Sequence, residues 1–162
     1  MKLPLFLFLT LFNAGLLAAG KTGFINSQEL LRQSPQAIAA KETLQEQFSQ
    51  RELDLRKMAQ SIQQMEATYK NDSAIMSSEQ KQKAEENIIQ NKRRFQFEQQ
   101  SLQEDLQSRR AELLRQVEIE IRAVIQSYGQ RNGYDFIFTD VGIAFANEAV
   151  DLTGEILQEL GN

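Results

Sequence analysis

The chain has no cysteine and no histidine among its 162 residues. Without cysteine there is no disulfide, no thiolate nucleophile and no acceptor for lipid attachment behind an export signal. Without histidine, zinc sites lose a usual ligand, and Ser-His-Asp or Cys-His nucleophiles lose their usual base. Catalysis would fall to carboxylates, Lys, Tyr, Ser or Thr. Paired carboxylates need a dry cleft on a rigid scaffold, and nothing in the residue pattern suggests one. An excess of positive charge is also missing. Lys and Arg total 18 against 22 Asp and Glu, a net charge of −4, which is poor footing for nucleic-acid binding. Helix breakers are missing from the middle. Between Ser34 and Arg131 the only proline is Pro35 and the only glycine is Gly129.

One motif points elsewhere at first sight. "GLLAAGKT", Gly15 to Thr22, fits the phosphate-loop pattern G-x-x-x-x-G-K-[ST]. Such a loop needs a helix directly behind Lys-Thr, so that backbone N–H groups face the phosphates. Here "GFIN" follows, which reads as a strand. The motif also sits across the end of an export signal. Lys2 gives a positive start, Leu3 to Phe12 are nearly all apolar, and Ala14, Gly15, Ala18, Ala19 and Gly20 are small. The apolar run is too short for a membrane span of roughly 20 residues. We therefore expect residues 1–20 to be a signal peptide cleaved near 18–20. Cleavage would sever the apparent phosphate loop and send the mature chain across a membrane, and no cofactor is expected.

The middle is rich in Gln, Glu, Lys, Arg, Leu and Ala, which favour helix. A short helical turn at Gln28 to Arg32 comes first. Ser34-Pro35 then reads as N-cap and N1 of a long helix. Turn formers at Asn71, Asp72 and Ser73 break it, and Ser77 with Gln80 forms a capping box for a second helix. The two helices of about 36 and 54 residues would span roughly 50 and 80 Å. Lengths of that order predict a projecting hairpin. Phe48, Leu55, Ile62 and Tyr69 recur every seven residues, with Leu44, Met58 and Met65 on the alternate seam and Arg51 interrupting it. In the second helix Phe95, Leu106, Val117 and Tyr128 are eleven apart, as are Leu102, Leu113 and Val124. That period favours a straight or right-handed coil.

Beyond Gly133 the composition changes. Tyr134 to Thr139 and Ile143 to Ala146 read as two strands around a turn at Asp140-Val141-Gly142. "TGFIN" supplies a third strand. A last helix from about Thr153 supplies a cover, with Leu152 and Leu157 as a hydrophobic staple. The domain reading is a β body from 21–33 and 132–162, and an α-helical arm from 34–131 with its apex near 71–77. So small a body is under-stabilised alone and exposes sheet edges. It is expected to associate through Phe24, Ile25, Phe136, Ile137, Phe138, Ile143 and Phe145.

Charge and exposed apolar groups suggest binding sites. Lys57 to Arg94 carries seven basic and five acidic residues, whereas Gly133 to Asn162 carries six acidic and no basic ones. Lys81, Lys83, Lys92, Arg93 and Arg94 make a candidate basic surface for acidic partners. Their plain alternative is a solvated helix face. Met65, Tyr69, Ile75 and Met76 cluster at the apex, either to contact adaptable partners or to close the hairpin end.

The short strand ending in Asn26, the polar helical hairpin, and "YDFIFTDVGIAFANEAVDLTGEILQEL" together resemble the Skp/OmpH family of periplasmic chaperones. The resemblance covers the mature chain and is most specific at Gly23 to Asn26 and Tyr134 to Leu160. It implies an α+β fold in which β bodies join as a homotrimer hub and coiled-coil arms surround a cavity. It implies a periplasmic, ATP-independent holdase that keeps unfolded outer-membrane proteins from aggregating in transit. It also raises lipopolysaccharide or a membrane surface as a partner of the basic residues. Members of that family are typically strongly basic, and this chain is not. The alternative function is a structural coiled-coil spacer or adaptor of the cell envelope. Neither reading makes the chain an enzyme.

Overall fold

The computed structural model describes residues 20–161, so the expected signal peptide lies almost wholly outside the described residues. Strand β1, Thr22–Ile25, leads into helix α1, Ser27–Gln33. Helices α2, Pro35–Asp72, and α3, Ser78–Arg131, follow. Strand β2 is Phe136–Thr139, and after a 3₁₀ turn at Glu148–Val150 helix α4 spans Thr153–Leu160. The architecture is α+β: a long two-helix hairpin projecting from a small β body.

Local chemistry starts and stops the helices. The Asn26 side chain accepts from Glu29 N and caps α1. Ser34 Oγ accepts from Ala37 N at 3.2 Å, with Pro35 behind it, so α2 begins where α1 stops. Helix α2 continues through Asn71 and Asp72, and Ser73 N closes it on Tyr69 O at 2.9 Å. The capping box at Ser77 and Gln80 starts α3 after a short turn. The apolar period of α2 and the outer part of that of α3 lie between the helices, while from Val117 to Tyr128 the α3 period packs on the body. Phe48 and Ile62 on α2 are buried, as are Leu113 and Val117 on α3. Arg51, which interrupts the heptad, crosses to α3. It pairs with Asp105 at 2.7 Å and donates to Ser101 Oγ at 3.2 Å.

The sheet has two strands where three were expected, and the turn at Asp140-Val141-Gly142 does not join two of them. Strands β1 and β2 are parallel, with Thr22 opposite Phe136 and Ile25 opposite Thr139. The whole arm is the connection between them, and a parallel pair needs a long crossover. Residues 143–146 form no strand. The physical reason lies at the end of β2. Asp140 accepts from Ser27 N at 2.9 Å and from Ser27 Oγ, which ties β2 to the start of α1. Gly142 then takes φ +81 and turns the chain away from the sheet. The far edge of β1 is met instead by a bridge between Phe24 and Asp151, with Leu152 N donating to Phe24 O at 2.8 Å.

The staple at α4 is also different. Leu152 is itself the N-cap and lies buried, while Asp151 Oδ1 accepts from Thr153 N at 2.9 Å. The core joins Ile25, Leu30, Leu152, Ile156 and Leu160 to Val117 and Ile121 of α3. The last turns of the arm's long helix are therefore built into the body. Each such aliphatic side chain contributes about 1.5–3 kcal/mol on burial.

Candidate functional site

The body is locked by polar contacts around Asn26 and Ser27. Asn26 N donates to Thr153 Oγ1 at 2.8 Å, and Thr153 Oγ1 donates to Asp151 Oδ1 at 2.6 Å. The two hydrogen bonds from Ser27, side chain first, hold the Asp140 carboxyl below its ordinary range. Strand β1, strand β2 and helix α4 thus meet through four short side chains.

The two faces of the sheet are unlike. Gly23 and Ile25 point into the protomer. A Cβ at Gly23 would lie 2.3 Å from Leu152 Cδ1, so glycine is what lets Leu152 cover the strand. Ile137 is half-buried on the same side, its Cδ1 3.2 Å from the point where a Gly129 Cβ would stand. On the opposite face Phe136 and Phe138 stack with ring centroids 6.0 Å apart, and they are 62% and 48% exposed. Phe24 is half-buried opposite Phe138. Ile143 and Phe145 stand in the loop beyond, 40% and 82% exposed. Of the seven expected hub residues, Ile25 and Ile137 serve the protomer's own interior, and the other five leave apolar surface at least partly open.

On the arm, the five basic residues do not form one patch. At about 100° per residue, Lys81 and Lys92 fall on one side of α3, Lys83 and Arg94 on another, and Arg93 between them. Lys83 pairs with Glu79 at 2.8 Å, and Lys92 pairs with Glu66 across the hairpin. Arg94 lines a shallow cleft with Arg51, Asp54 and Glu98. Lys81 and Arg93 have no ion pair among the described residues.

The apex residues divide as well. Met65, Tyr69 and Met76 line one cleft with Ala84 and Ile88, and so close the end of the hairpin. The Tyr69 hydroxyl donates to Glu85, and that bond pushes its pKa up. Ile75 alone projects, 87% exposed.

A further feature was not picked out from the sequence. Ile89, Arg93 and Phe97 are four residues apart and form one ridge along α3. Ile89 is 48% exposed and Phe97 is 70% exposed. The signal was present as two large apolar residues outside the eleven-residue period, flanking a cation. Among the described residues no helix is long and apolar enough to cross a membrane, and no cluster of acidic side chains could hold a metal.

A small α+β body with a bare aromatic sheet face, carrying a long helical arm with cations and apolar groups exposed, defines a body-and-arm protein. The chain belongs to the family described as Outer membrane protein (OmpH-like), whose profile matches residues 21–160. It is similar to the Chaperone protein Skp of Pectobacterium atrosepticum, 22% identical over 148 residues that cover 91% of this chain and 90% of the relative. The Chaperone protein Skp of Yersinia enterocolitica is 21% identical over 142 residues, covering 88% and 87%. A crystal structure described as an OmpH-like outer membrane chaperone from Caulobacter crescentus CB15 superposes with a TM-score of 0.77. It is 15% identical and the match covers 88% of this chain and 85% of that one, which establishes a shared fold.

Proposed function

We propose that this protein is an ATP-independent holdase chaperone of the periplasm. In this reading it binds unfolded outer-membrane proteins and keeps them from aggregating on the way to the outer membrane. It works as a homotrimer, with 21–33 and 132–162 as the hub, 34–131 as the arm, and the apex near 71–77. The observation that carries the reading is the ridge Ile89–Arg93–Phe97 on the long helix α3. It offers exposed apolar surface, with Ile89 at the edge of an open cleft shared with Tyr69 and Ile88, and a cation, Arg93, that has no ion pair among the described residues. Such a surface suits a flexible chain held by many weak contacts, each ion contact being worth roughly 0–1 kcal/mol. Membership of the family and the names of the similar relatives support the same reading.

The bare sheet face supports the trimer. Parallel sheets occur almost only with both faces covered, and here one face carries Phe136 and Phe138 in the open. Lipopolysaccharide or a membrane surface is the weaker partner for Lys81, Lys83, Lys92, Arg93 and Arg94, because two of the five are already paired with acids. The test is dilution of a urea-unfolded β-barrel protein into buffer with and without stoichiometric chaperone, followed by light scattering. Suppression without ATP is expected. Unchanged scattering would remove the chaperone reading and favour an envelope spacer with a single partner.

A further inference from the structure

We propose that Asp135, Tyr134 and Asn132 form a clasp for the amino terminus that signal cleavage creates, with Lys21 as the first residue of the exported chain. The proposal rests on the periplasmic reading above, and adds to it the bond that is cut and the site that receives the new end. Signal cleavage favours small residues at the first and third positions before the cut, as in A-x-A. From Ala14 to Gly20, small residues stand two apart only at Ala18 and Gly20, which places the cut between Gly20 and Lys21. Hydrolysis of that bond by a signal endopeptidase consumes one water. The new carboxylate leaves with Gly20, and the amine stays on Lys21, protonated at neutral pH as α-amino groups generally are.

Lys21 is held by both its backbone and its side chain. Lys21 N donates to Asp135 Oδ2 at 2.7 Å, and Asp135 N donates back to Lys21 O at 2.8 Å. At the other end, Lys21 Nζ donates to Asn132 O at 2.8 Å and stands 3.9 Å from the centre of the Tyr134 ring. The lysine of the apparent phosphate loop is thus engaged by the body. Asp135 has no ion pair among the described residues, so its carboxylate is open to a full positive charge. Cleavage supplies that charge. In the uncut chain Lys21 N is a neutral amide; in the cut chain it is an ammonium, and charge-assisted hydrogen bonds are roughly twice as strong as neutral ones. Upstream residues have little room there, since a Cβ at Gly20 would lie 3.0 Å from Asp135 Oδ2. Lys21 and Asp135 lead directly into β1 and β2, whose register starts with Thr22 opposite Phe136. The clasp therefore fixes the start of the parallel pair, and the body closes more firmly once the signal is removed.

The full chain is expressed in a secreting bacterium, and the first residue of the periplasmic protein is read by intact mass and terminal-peptide sequencing. Lys21 is expected. The α-amine is then labelled with an amine-reactive reagent near pH 7, where α-amines react ahead of lysine side chains. Labelling should be several-fold faster in Asp135→Asn than in wild type, with helix content unchanged by circular dichroism. A chain that begins at Ala19 is the second comparison and needs no substitution: its urea midpoint should lie below that of the chain beginning at Lys21. Equal labelling rates, or equal midpoints, would overturn the clasp. A first residue other than Lys21 would overturn the cut site and the clasp with it. An uncut chain in the periplasm would overturn the expected signal cleavage as well. Aggregation suppression is a separate readout, so the holdase reading stands or fails on its own test.

Discussion

Gly23 and Asp140 carry more of the body than their size suggests. Gly23 has no conformational role in the left-handed region; its function is the space it leaves for Leu152, which is 5% exposed. Gly23→Ala should therefore overpack the body and cost about 1–3 kcal/mol, read as a lower urea midpoint with an unchanged slope. Asp140 acts through charge. Its folded pKa lies below the ordinary carboxylate value because Ser27 donates two hydrogen bonds to it. A depressed pKa contributes stability above the unfolded value of about 3.9, and that contribution is lost as pH falls through the folded value. Asp140→Asn should thus be less stable than wild type at neutral pH, and the difference should shrink below about pH 4. Urea titrations at several pH values check this, and a difference independent of pH would remove the carboxylate from the account.

The arm's two faces do different work. Arg51 breaks the heptad but pairs with Asp105 where both are substantially exposed, at 39% and 56% of the side chain. Arg51→Leu should alter arm stability by less than about 1 kcal/mol, measured by hydrogen exchange in the adjoining turns. Serine at both Ile89 and Phe97 should leave the arm folded, since neither is buried, yet weaken aggregation suppression several-fold. Retained suppression would move the client surface elsewhere on the arm. At this scale much was legible in advance. The lengths of α2 and α3, the Ser34-Pro35 start, the Ser77–Gln80 box and both apolar periods follow from side-chain chemistry within a few residues. The sheet was less legible. Residues 134–146 have the alternation and the Asp-Val-Gly turn of a hairpin. Their actual partner, β1, lies more than a hundred residues earlier, and local pattern carries no information on that pairing. The ridge Ile89–Arg93–Phe97 was missed for a related reason. An apolar period marks what is buried between two helices, and these residues stand outside it.

The whole molecule is electrically and sterically polarised. The C-terminal part of the body is acidic with no cations, while the outer arm carries the basic surplus. Partners attracted to the arm should therefore be salt-sensitive, with screening shortened to about 3 Å at 1 M salt. The body's two apolar faces also separate folding from assembly. Ile137→Lys puts a charge into the half-buried side next to Gly129 and should unfold the body. Phe138→Lys puts it on the open sheet face and should dissociate the oligomer while helix content remains. Circular dichroism with solution mass distinguishes the two, and identical behaviour would contradict the two-faced sheet. The proposed trimer with arms around an unfolded client is open to mass measurement in solution, alone and after addition of a urea-unfolded outer-membrane β-barrel protein. A particle of three chains that gains one client without ATP is expected; a monomer, or a trimer that gains no client mass, would overturn the proposal.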